Sequence, residues 1–563
     1  MFFFYFILQV NLIYYGKGEC GMTPYCQKIA KQMLETPDKL CIVDQLGNRL
    51  TYADVDRLTG QVFAYLRSKG IGRGDFVFIN LPRGGMVYVA ALGIIRAGAA
   101  FVVLEASAPA ARAEFIEKDC SCKLVLNQQN WDEVTRQKSL DGWVEAAPDD
   151  PLCAIYTSGT TGRPKGALHL RSLLERNLEA FNYKGEYLLS HGPNFGIIFP
   201  LNFVAFTIST IIPYYGGTLF VLDYNTVKTP HLLYNYLEDN KIEGTFMTPS
   251  LLKVYRKVNT YLKQIYIGGE VATDVDALPI PIYNLFTMGE MGHLLTIFPI
   301  DGRKGASPIG LPTLPDMFYI LDDDGKEVNV GEEGEICIKN PSAGGYINLP
   351  EMNREKFKNG LFHTGDLGKK LPDGNIMHLG RIDFMIKING NRVEPAEILA
   401  VLKQTDNSAW CAVKGFEKEH TTFICAYYTG AAGFDANQLR QELETRLPEY
   451  MIPTFFVHLN NIPLAASGKL DFHALPEPDL AQYRAPYAAP TTALEKALCR
   501  GFGKALGIEP YGMDDDFVQL GGDSIAVAEV VAECNLKGIS FEDVFNLHTP
   551  RQLIQYLNEH PVK

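Results

Sequence analysis

The sequence predicts a large α/β core, followed by a smaller α+β unit and a short helical unit. Apolar runs with strand character alternate with longer helix-compatible stretches, which is typical of helices packed on mostly parallel sheets. A proline-rich stretch at 475–490 precedes the final unit. The length of 563 residues also exceeds what a single hydrophobic core usually supports.

The pattern of apolar residues places individual elements in the core. The strand-like runs are Phe76 to Asn80, Leu152 to Tyr156, Thr218 to Leu222 and Gln264 to Ile267. The helix-compatible stretches include Ala53 to Lys69 and Pro249 to Val258. No internal repeat or low-complexity tract interrupts this alternation.

Composition shifts predict the domain boundaries. The segments are a non-native or disordered leader at 1–21, the core at 22–382, the α+β unit at 383–475, a semi-rigid linker at 476–490 and the helical unit at 491–563.

The opening stretch from Phe2 to Tyr15 is apolar, but it is shorter than the roughly twenty residues that span a bilayer. It also lacks the basic start of a signal peptide. Purine-rich codons encode Lys17-Gly18-Glu19, as in a translated ribosome-binding sequence, which favours Met22 as the true start. A membrane anchor is the alternative interpretation.

Composition narrows the partners and the compartment. The net charge of -13 argues against a nucleic-acid partner, and we expect no membrane partner. Eleven cysteines are scattered without a Cys-x-x-Cys pair, and the tightest spacing is Cys120-Ser121-Cys122. A reduced, cytoplasmic setting is the inference.

The most informative stretch runs from Ile155 to Ala167, where an apolar strand enters a loop of glycines, hydroxyl residues and two cations. Glycines allow close backbone approach, and Arg163 or Lys165 can neutralise phosphate oxygens. The spacing does not fit a Walker A loop. The loop therefore predicts a phosphate site, with a flexible Gly/Thr linker as the alternative.

The chain at this loop resembles the adenylate-forming superfamily, which comprises acyl-CoA synthetases, luciferases and the adenylation domains of nonribosomal peptide synthetases. In order, the other matching motifs are Leu50-Thr51-Tyr52, Arg96 to Phe101, Gly334 to Ile338, Gly345 to Asn348, His363 to Leu367, Gly380 to Asp383, Lys387 to Glu394, Leu447 to Pro453 and Pro463 to Leu470. Each motif is weak alone, but their shared order makes the resemblance strong.

A second signature, Asp516 to Ile525, resembles the carrier-protein motif in which Ser524 receives a phosphopantetheine arm. In isolation, its Gly-Gly-Asp-Ser also fits an ordinary turn with a helix cap. The following apolar positions fit helical faces, and the segment from Thr491 onward holds eleven acidic and six basic residues. The resemblance implies an all-α, four-helix carrier domain after an adenylation core and its lid subdomain.

The resemblance implies that ATP, Mg²⁺ and 4′-phosphopantetheine serve the reaction. The residues implied to cradle the phosphates are Thr157, Ser158, Gly159, Thr160, Thr161, Gly162 and Lys165. Phe286 would cover the adenine, Asp366 would bind the ribose, and Arg381 would support the nucleotide. Glu290 would help hold Mg²⁺.

A family likeness also implies a moving lid. Lys469 matches the lysine that stabilises charge during adenylation, and Asp383 matches the hinge about which the lid rotates. After rotation, the face from Lys387 to Arg392 would approach the incoming thiol, and Gly390 suits close approach of the arm.

Two positions depart from the family pattern. Gly289 stands where the family usually has a threonine that assists the phosphate, so we expect slower activity. The segment from His191 to Leu222 carries no Asp, Glu, Lys or Arg that could pair an α-ammonium. With Asn202 close to an asparagine of aryl-acid-activating members, an aryl or other amine-free acid is favoured, and an amino acid stays open.

The predicted substrate pocket comprises Asn202, Phe203, Gly268 and Thr287. The predicted function is ATP-dependent activation of a carboxylic or amino acid and its loading onto the chain's own arm, as in secondary-metabolite biosynthesis. A phosphopantetheinyl transferase and a downstream condensation or reductase protein are the expected partners. The alternatives are an acyl-CoA or D-alanine-carrier ligase with an appended carrier, or a non-catalytic scaffold that presents the carrier.

Overall fold

A computed structural model describes most of the chain, and the statements below refer to its described residues. These are residues 23–159, 163–182, 188–255, 258–339, 342–382, 385–388, 390–405, 410–417, 422–429, 436–461, 463, 472, 474–534 and 541–560.

The strands of the first two thirds of the chain are β1 (Leu40–Asp44), β2 (Arg49–Thr51), β3 (Phe76–Asn80), β4 (Ala100–Val103), β5 (Leu124–Asn127), β6 (Pro151–Thr157), β7 (Lys165–Leu170), β8 (Asn194–Ile197), β9 (Thr218–Val221), β10 (Gly244–Met247), β11 (Gln264–Ile267), β12 (Ile282–Phe286), β13 (Thr296–Pro299), β14 (Leu311–Pro312), β15 (Phe318–Leu321), β16 (Glu333–Ile338), β17 (Ala343–Tyr346), β18 (Phe357–Lys358), β19 (Leu361–Lys370) and β20 (Ile376–Arg381). They are followed by β21 (Ile386–Ile388), β22 (Asn391–Val393), β23 (Trp410–Glu417), β24 (Thr422–Thr429) and β25 (Phe455–His458).

The helices are α1 (Pro24–Glu35), α2 (Tyr52–Ser68), α3 (Gly85–Arg96), α4 (Ala110–Asp119), α5 (Gln128–Thr135), α6 (Ser172–Asn182), α7 (Val204–Ser209), α8 (Ile211–Tyr214), α9 (Tyr224–Lys228), α10 (Pro230–Asp239), α11 (Pro249–Val254), α12 (Pro350–Lys356), α13 (Pro395–Thr405), α14 (Ala436–Glu444), α15 (Ala493–Leu506), α16 (Ser524–Cys534), α17 (Phe541–Leu547) and α18 (Pro550–Glu559). Short 3₁₀ turns occur at Leu188–His191, Glu449–Met451 and Leu480–Tyr483.

Two mostly parallel sheets form the core. The larger has the order β14-β13-β12-β11-β10-β8-β9-β1-β2, with parallel pairing from β12 through to β1. The second has the order β17-β7-β6-β4-β3-β5, and its parallel part runs from β6 to β5. An antiparallel sheet of β15, β16, β19, β18 and β20 adjoins them. The predicted α/β core with mostly parallel sheets is confirmed.

Local sequence explains how the packed helices form. Thr51 and Asp54 make a capping box that starts α2. Helix α3 is apolar on nearly all sides, as expected of a helix that is enclosed in a core, and it packs against α2. Both helices contribute to the largest buried cluster of the protein.

The sequence predicts four core strands at nearly the observed positions, and strands β3 and β11 have the predicted bounds. The helix predicted from Pro249 to Val258 ends earlier, at Val254, because Tyr255 leaves the helical region with φ -80° and ψ 76°.

A smaller α+β unit follows the core. The hairpin β21–β22 precedes α13, and β23, β24 and β25 form a three-stranded sheet. A buried apolar cluster that includes Val393, Ile398 and Leu443 joins the hairpin, α13 and α14. This arrangement gives the segment a core of its own.

Four helices, α15 to α18, form the C-terminal unit within the described residues. Thr492 and Glu495 cap α15, and Gly507 ends it in the left-handed region with φ 65°. Phe502 is fully buried, with its ring 5.6 Å from that of Tyr511 and 5.0 Å from that of Phe517. These rings centre the helical core.

The proline-rich linker contacts both of its neighbours. The Tyr483 hydroxyl donates to the carbonyl of Phe456 on β25 at 3.0 Å. On the other side, Arg484 pairs with the buried Asp515 at 2.6 Å. The linker therefore connects the α+β unit to the four-helix unit through specific contacts, while the predicted domain boundaries stay predictions.

No helix among the described residues is long and apolar enough to cross a membrane.

We predict that Phe502→Ala lowers the free energy of unfolding of the four-helix unit by about 3–5 kcal/mol, because it leaves a cavity among buried rings. Peptide-resolved hydrogen exchange should show faster exchange in 493–560 and unchanged exchange in the core. Leu494→Ala is the matched control, since Leu494 lies on the same helix and is 39% exposed. Equal acceleration throughout the chain would argue against an independently stable unit.

Candidate functional site

The predicted phosphate loop leaves the second sheet between β6 and β7. Thr157 ends β6, and Lys165 begins β7 with its side chain 2% exposed. Ser158 is likewise buried, and a Cβ atom placed on Gly159 would lie 1.9 Å from the Arg163 carbonyl oxygen. Only glycine therefore fits this turn. Thr160, Thr161 and Gly162 lie outside the described residues.

Glu290, which follows β12, is the centre of a buried charge cluster. Its Oε1 accepts hydrogen bonds from the Tyr346 hydroxyl and from Nη1 of Arg392, both at 2.8 Å. The ammonium of Lys165 lies 3.6 Å from the same oxygen. The other oxygen, Oε2, is buried without a hydrogen-bond partner.

The charges of this cluster shift one another's pKa values. Burial alone would raise the pKa of Glu290, but Arg392 and Lys165 outweigh it and lower that pKa to about 2. Desolvation, aided by the charge of Arg392, lowers the pKa of Lys165 to about 8. Glu290 is therefore an anion with one uncommitted oxygen, which suits a metal ligand.

A second polar group lies on β19 and β20. Asp366 is 2% exposed, and its Oδ1 lies 3.0 Å from Nη1 of Arg381 and 2.9 Å from Nε2 of His378. Burial opposes ionisation of Asp366, but His378 and Arg381 outweigh it and lower the pKa. The ring of Phe286 lies 6.4 Å from that of His378. The structure thus brings Phe286, Asp366 and Arg381 together.

The α+β unit reaches the phosphate loop through its hairpin and α13. The Ser158 hydroxyl donates to the Arg392 carbonyl at 2.7 Å, and the Gly159 amide donates to Glu397 at 3.1 Å. Arg112 of α4 pairs with the other oxygen of Glu397 at 2.7 Å. The α+β unit is therefore docked on the predicted phosphate loop.

The helix that begins at Ser524, α16, packs on α11 and α9 of the core. Glu270 accepts hydrogen bonds from the amide and hydroxyl of Ser250 on α11. Burial and the nearby charge of Asp523 raise the pKa of Glu270. The first turn of α16 thus lies near Glu270, beside the core.

The hairpin turn approaches the core closely at the same place. A Cβ atom placed on Gly269 would lie 3.3 Å from Cα of Gly390, and one placed on Gly390 would lie 3.2 Å from Cγ2 of Thr248. Gly390 has φ 78°. Glycine at both positions lets the hairpin turn lie against the core at contact distance.

The residues of the predicted substrate pocket lie in segments that follow strands β8, β11 and β12 of the larger sheet. Asn202 and Phe203 precede α7, Gly268 follows β11, and Thr287 follows β12. The Thr287 hydroxyl is buried without a hydrogen-bond partner. Beside Asn202, the Leu201 amide donates to Glu105 at 2.9 Å, and Glu105 also pairs with Arg83 at 3.5 Å. The carboxylate of Glu105, which accepts a hydrogen bond from this segment, is therefore already neutralised by Arg83.

Packing accounts for the glycine at 289. A Cβ atom there would lie 2.8 Å from Cγ2 of Thr157, so a threonine at this position would need Thr157 to move. The Gly289 carbonyl also lies 2.8 Å from Nε2 of His169. The methyl group of Thr157 therefore faces the place that the larger residue would fill, and the buried hydroxyl of Thr157 has no hydrogen-bond partner.

Several predicted residues are not placed by the structure. Lys469 and Asp383 lie outside the described residues, and of Ser524 only the backbone position at the start of α16 is described.

Sequence reasoning gave no role to Tyr346, Glu394, Glu397 or Arg112. The first two stand in quoted motifs, which was an available signal. Arg112 and Glu397 are separated by 285 positions, and no local pattern connects them.

The family model of AMP-binding enzymes matches residues 29–347, and that of the phosphopantetheine attachment site matches residues 496–557. The chain belongs to the family of AMP-binding enzymes. This finding confirms the resemblance drawn from the motifs, and it confirms the carrier signature as well.

Curated relatives are synthetases. Surfactin synthase subunit 2 of Bacillus subtilis (strain 168) is 31% identical over 94% of this chain and 16% of its own length. Tyrocidine synthase 1 of Brevibacillus parabrevis is 30% identical over 95% of this chain and 53% of its own length. The chain thus spans about half, or less, of the length of these relatives.

Solved structures show the same fold. One of them is holo-PA1221, an NRPS protein with adenylation and PCP domains bound to a vinylsulfonamide inhibitor. The similarity covers 95% of this chain and 96% of that chain, with a TM-score of 0.78 and 21% identity. Holo-AB3403, a four-domain nonribosomal peptide synthetase bound to AMP and glycine, covers 96% of this chain and 43% of its own, with a TM-score of 0.57 and 28% identity. The predicted fold class is confirmed.

We predict that Tyr346→Phe destabilises the protein by about 1.5–3 kcal/mol, because a buried carboxylate loses a hydrogen bond from its neutral donor. Urea unfolding followed by fluorescence measures the change. Tyr319→Phe is the control, since its hydroxyl makes only an exposed contact of 3.4 Å with the Asp316 carbonyl. Equal effects of the two variants would contradict the importance of the Glu290 cluster.

Proposed function

We propose that this protein activates a carboxylic acid with ATP and Mg²⁺ and loads it onto the phosphopantetheine arm of its own carrier unit. One observation carries the proposal: the helix that begins at Ser524 docks on the core that holds the phosphate loop. The lid hairpin contacts the same core and reaches Glu290 through Arg392. Activation and transfer are thereby assigned to one site.

The chemistry requires compensation of negative charge. A carboxylate is a poor acyl donor because its leaving group would be oxide, whereas attack on the ATP α-phosphate gives an acyl adenylate with a good leaving group. The chain must offset charge on three phosphates and hold the attacking oxygen in line with phosphorus. We assign the phosphates to the loop from Thr157 to Lys165.

Magnesium ions fit the donors that are present. Glu290 has a buried oxygen without a partner, and the buried Thr157 hydroxyl at the end of β6 is also uncommitted. Oxygen donors of this kind are those that Mg²⁺ prefers. When bound, the metal would neutralise phosphate charge, and Glu290 would hold it.

The remaining roles follow from the second polar group. Asp366, which is kept ionised by Arg381 and His378, is assigned to the ribose hydroxyls. Phe286, which lines the same side of the site, is assigned to the adenine. Arg381 orients Asp366 and supports the nucleotide.

Transfer requires a different lid orientation from activation. Lys469 is assigned to adenylation, and Asp383 is assigned to the hinge between the two orientations. The docked hairpin observed here, with Gly390 next to Gly269 and Thr248, fits the transfer orientation because the first turn of α16 lies near Glu270, which adjoins Gly269. The arm attached to Ser524 would enter the site beside this turn.

The assignment implies particular partners. A phosphopantetheinyl transferase would install the arm, and a condensation or reductase protein would take the acyl group onward. Nine of the cysteines in the described residues are free thiols, which supports action in the reducing cytoplasm.

An acid-dependent pyrophosphate exchange panel tests this function. The panel should contain aryl acids, hydroxy acids and amino acids, and at least one acid should support exchange. Intact-protein mass spectrometry should then show that acid on the armed protein. If none of the acids supports exchange, a carrier-presenting scaffold is favoured. Turnover of free CoA would favour an acyl-CoA ligase.

We predict that Ser524→Ala abolishes covalent loading and leaves pyrophosphate exchange unchanged, because Ser524 only attaches the arm. After treatment with a phosphopantetheinyl transferase and CoA, mass spectrometry should show one arm on the parent and none on the variant. Modification at another residue, or no modification of the parent, would refute the carrier assignment.

We predict that the parent prefers amine-free acids and that Asn202→Asp shifts the preference toward amino acids. A carboxylate at this position would pair an ammonium and disfavour an apolar acid, and the neutralised Glu105 supplies no such charge. The measurement is exchange with matched pairs of an acid and its α-amino analogue. A parent that prefers the amino acid would show that Asn202 lies outside the pocket or that another residue supplies the counter-charge.

A further inference from the structure

Three side chains with metal-binding atoms meet between β16 and β19: those of Glu335, Cys337 and His363. Sγ of Cys337 lies 3.4 Å from Nδ1 of His363, and Oε2 of Glu335 lies 2.7 Å from the same nitrogen. The three ligand atoms all lie within 4.8 Å of one another. In the described part of the chain, no other group of three or more His, Cys, Asp and Glu side chains is placed to hold a metal ion in this way. The reaction proposed above uses none of the three.

The geometry of the two strands explains this meeting. Side chains two positions apart on a strand point to the same face, so Glu335 and Cys337 share one face of β16, while Ile336 is buried on the other. Cys337 is directly opposite His363 of β19, and the register shifts between Glu335 and Cys337. Shifts of this kind re-aim side chains. The Gly365 amide donates to Oε1 of Glu335 at 2.8 Å, which orients the carboxylate and leaves Oε2 for His363.

The group has a buried floor and an accessible rim. Cys337 is fully buried, whereas the side chains of Glu335 and His363 are 22% and 21% exposed. A metal ion can therefore reach the ligands from solvent, and a water molecule can complete its coordination.

The type and spacing of the ligands select the metal. Thiolate and imidazole ligands favour Zn²⁺, whereas Mg²⁺ prefers oxygen donors. At ordinary bond lengths, a tetrahedral Zn²⁺ ion holds its sulfur and nitrogen ligand atoms about 3.5 Å apart. The observed separation of Sγ and Nδ1 is 3.4 Å. Oε2 and Nδ1 are closer because a hydrogen bond joins them, and replacing its proton by the metal separates them by roughly a further 0.7 Å.

We propose that Glu335, Cys337 and His363 bind one Zn²⁺ ion through Oε2, Sγ and Nδ1, with a water molecule as the fourth ligand. This site is separate from the Mg²⁺ site assigned to Glu290, and the inference does not depend on the proposed function. The ion ties β16 to β19 shortly before Asp366, so its role is to stabilise the strand that carries this carboxylate.

Binding displaces a proton from the thiol. Burial and the charge of Glu335 raise the pKa of Cys337 to about 12, so the thiol is protonated before the metal binds. On binding, the S–H bond breaks, the proton passes to the buffer, and Sγ donates its electron pair to Zn²⁺. The neutral imidazole of His363 loses its hydrogen at Nδ1 and gains one at Nε2, and it therefore stays neutral.

The test titrates Co²⁺ into the intact chain after chelation of bound metals, with a thiol-free reductant and excess Mg²⁺ present. Co²⁺ shares the ligand preferences of Zn²⁺, and a bound thiolate gives it a charge-transfer band in the near ultraviolet. We expect this band to saturate at one equivalent of Co²⁺ in the presence of Mg²⁺. Adding Zn²⁺ should abolish it.

Two variants remove a ligand, and a third is the matched control. Cys337→Ser should abolish the band. His363→Gln should lower the Co²⁺ affinity by at least about a hundredfold, since loss of an outer-shell partner alone costs roughly ten- to a hundredfold. Cys122→Ser should leave the band and the affinity unchanged, because Cys122 is a partly accessible free thiol outside this group.

Circular dichroism verifies that each variant is folded. A folded parent without the band, or a band that Cys337→Ser retains, overturns the proposal. Loss of the band in Cys122→Ser places the metal at that thiol instead and also overturns it. If Cys337→Ser does not fold because its position is buried, the more exposed variant His363→Gln decides, and an unchanged Co²⁺ affinity in that variant refutes the site.

Discussion

The buried carboxylate of Glu290 is the constraint on which the site depends. A carboxylate that is 2% exposed needs compensation, and here Lys165 and Arg392 provide positive charge while the neutral Tyr346 donates a hydrogen bond. These partners come from β7, the lid hairpin and β17, so a single charge joins three parts of the fold.

The same logic extends along the loop. Glu397 and Glu394 of the lid lie opposite Gly159 and Lys165, while Arg392 of the lid lies opposite Glu290. Opposite charges on the two surfaces therefore hold the docked orientation.

The linker and the four-helix unit complete this arrangement. Tyr483 bonds to β25, Arg484 bonds to Asp515, and a Cβ atom placed on Gly521 would lie 3.5 Å from Cζ of Phe455. The turn that precedes Ser524 thus rests on the lid, while α16 rests on the core. Tethering in one chain also raises the effective concentration of the carrier unit at the core to roughly the millimolar range.

The sequence by itself determined the parts of this protein whose signals are local. Apolar runs located strands such as β3 and β11, and ordered motifs indicated the phosphate loop, Glu290, Asp366 and the helix at Ser524. Only the tertiary structure brought Arg112 to Glu397 and Glu105 to Arg83. These pairs join residues that are far apart in sequence, and the burial that makes their charges matter exists only after the sheets, lid and carrier have packed together.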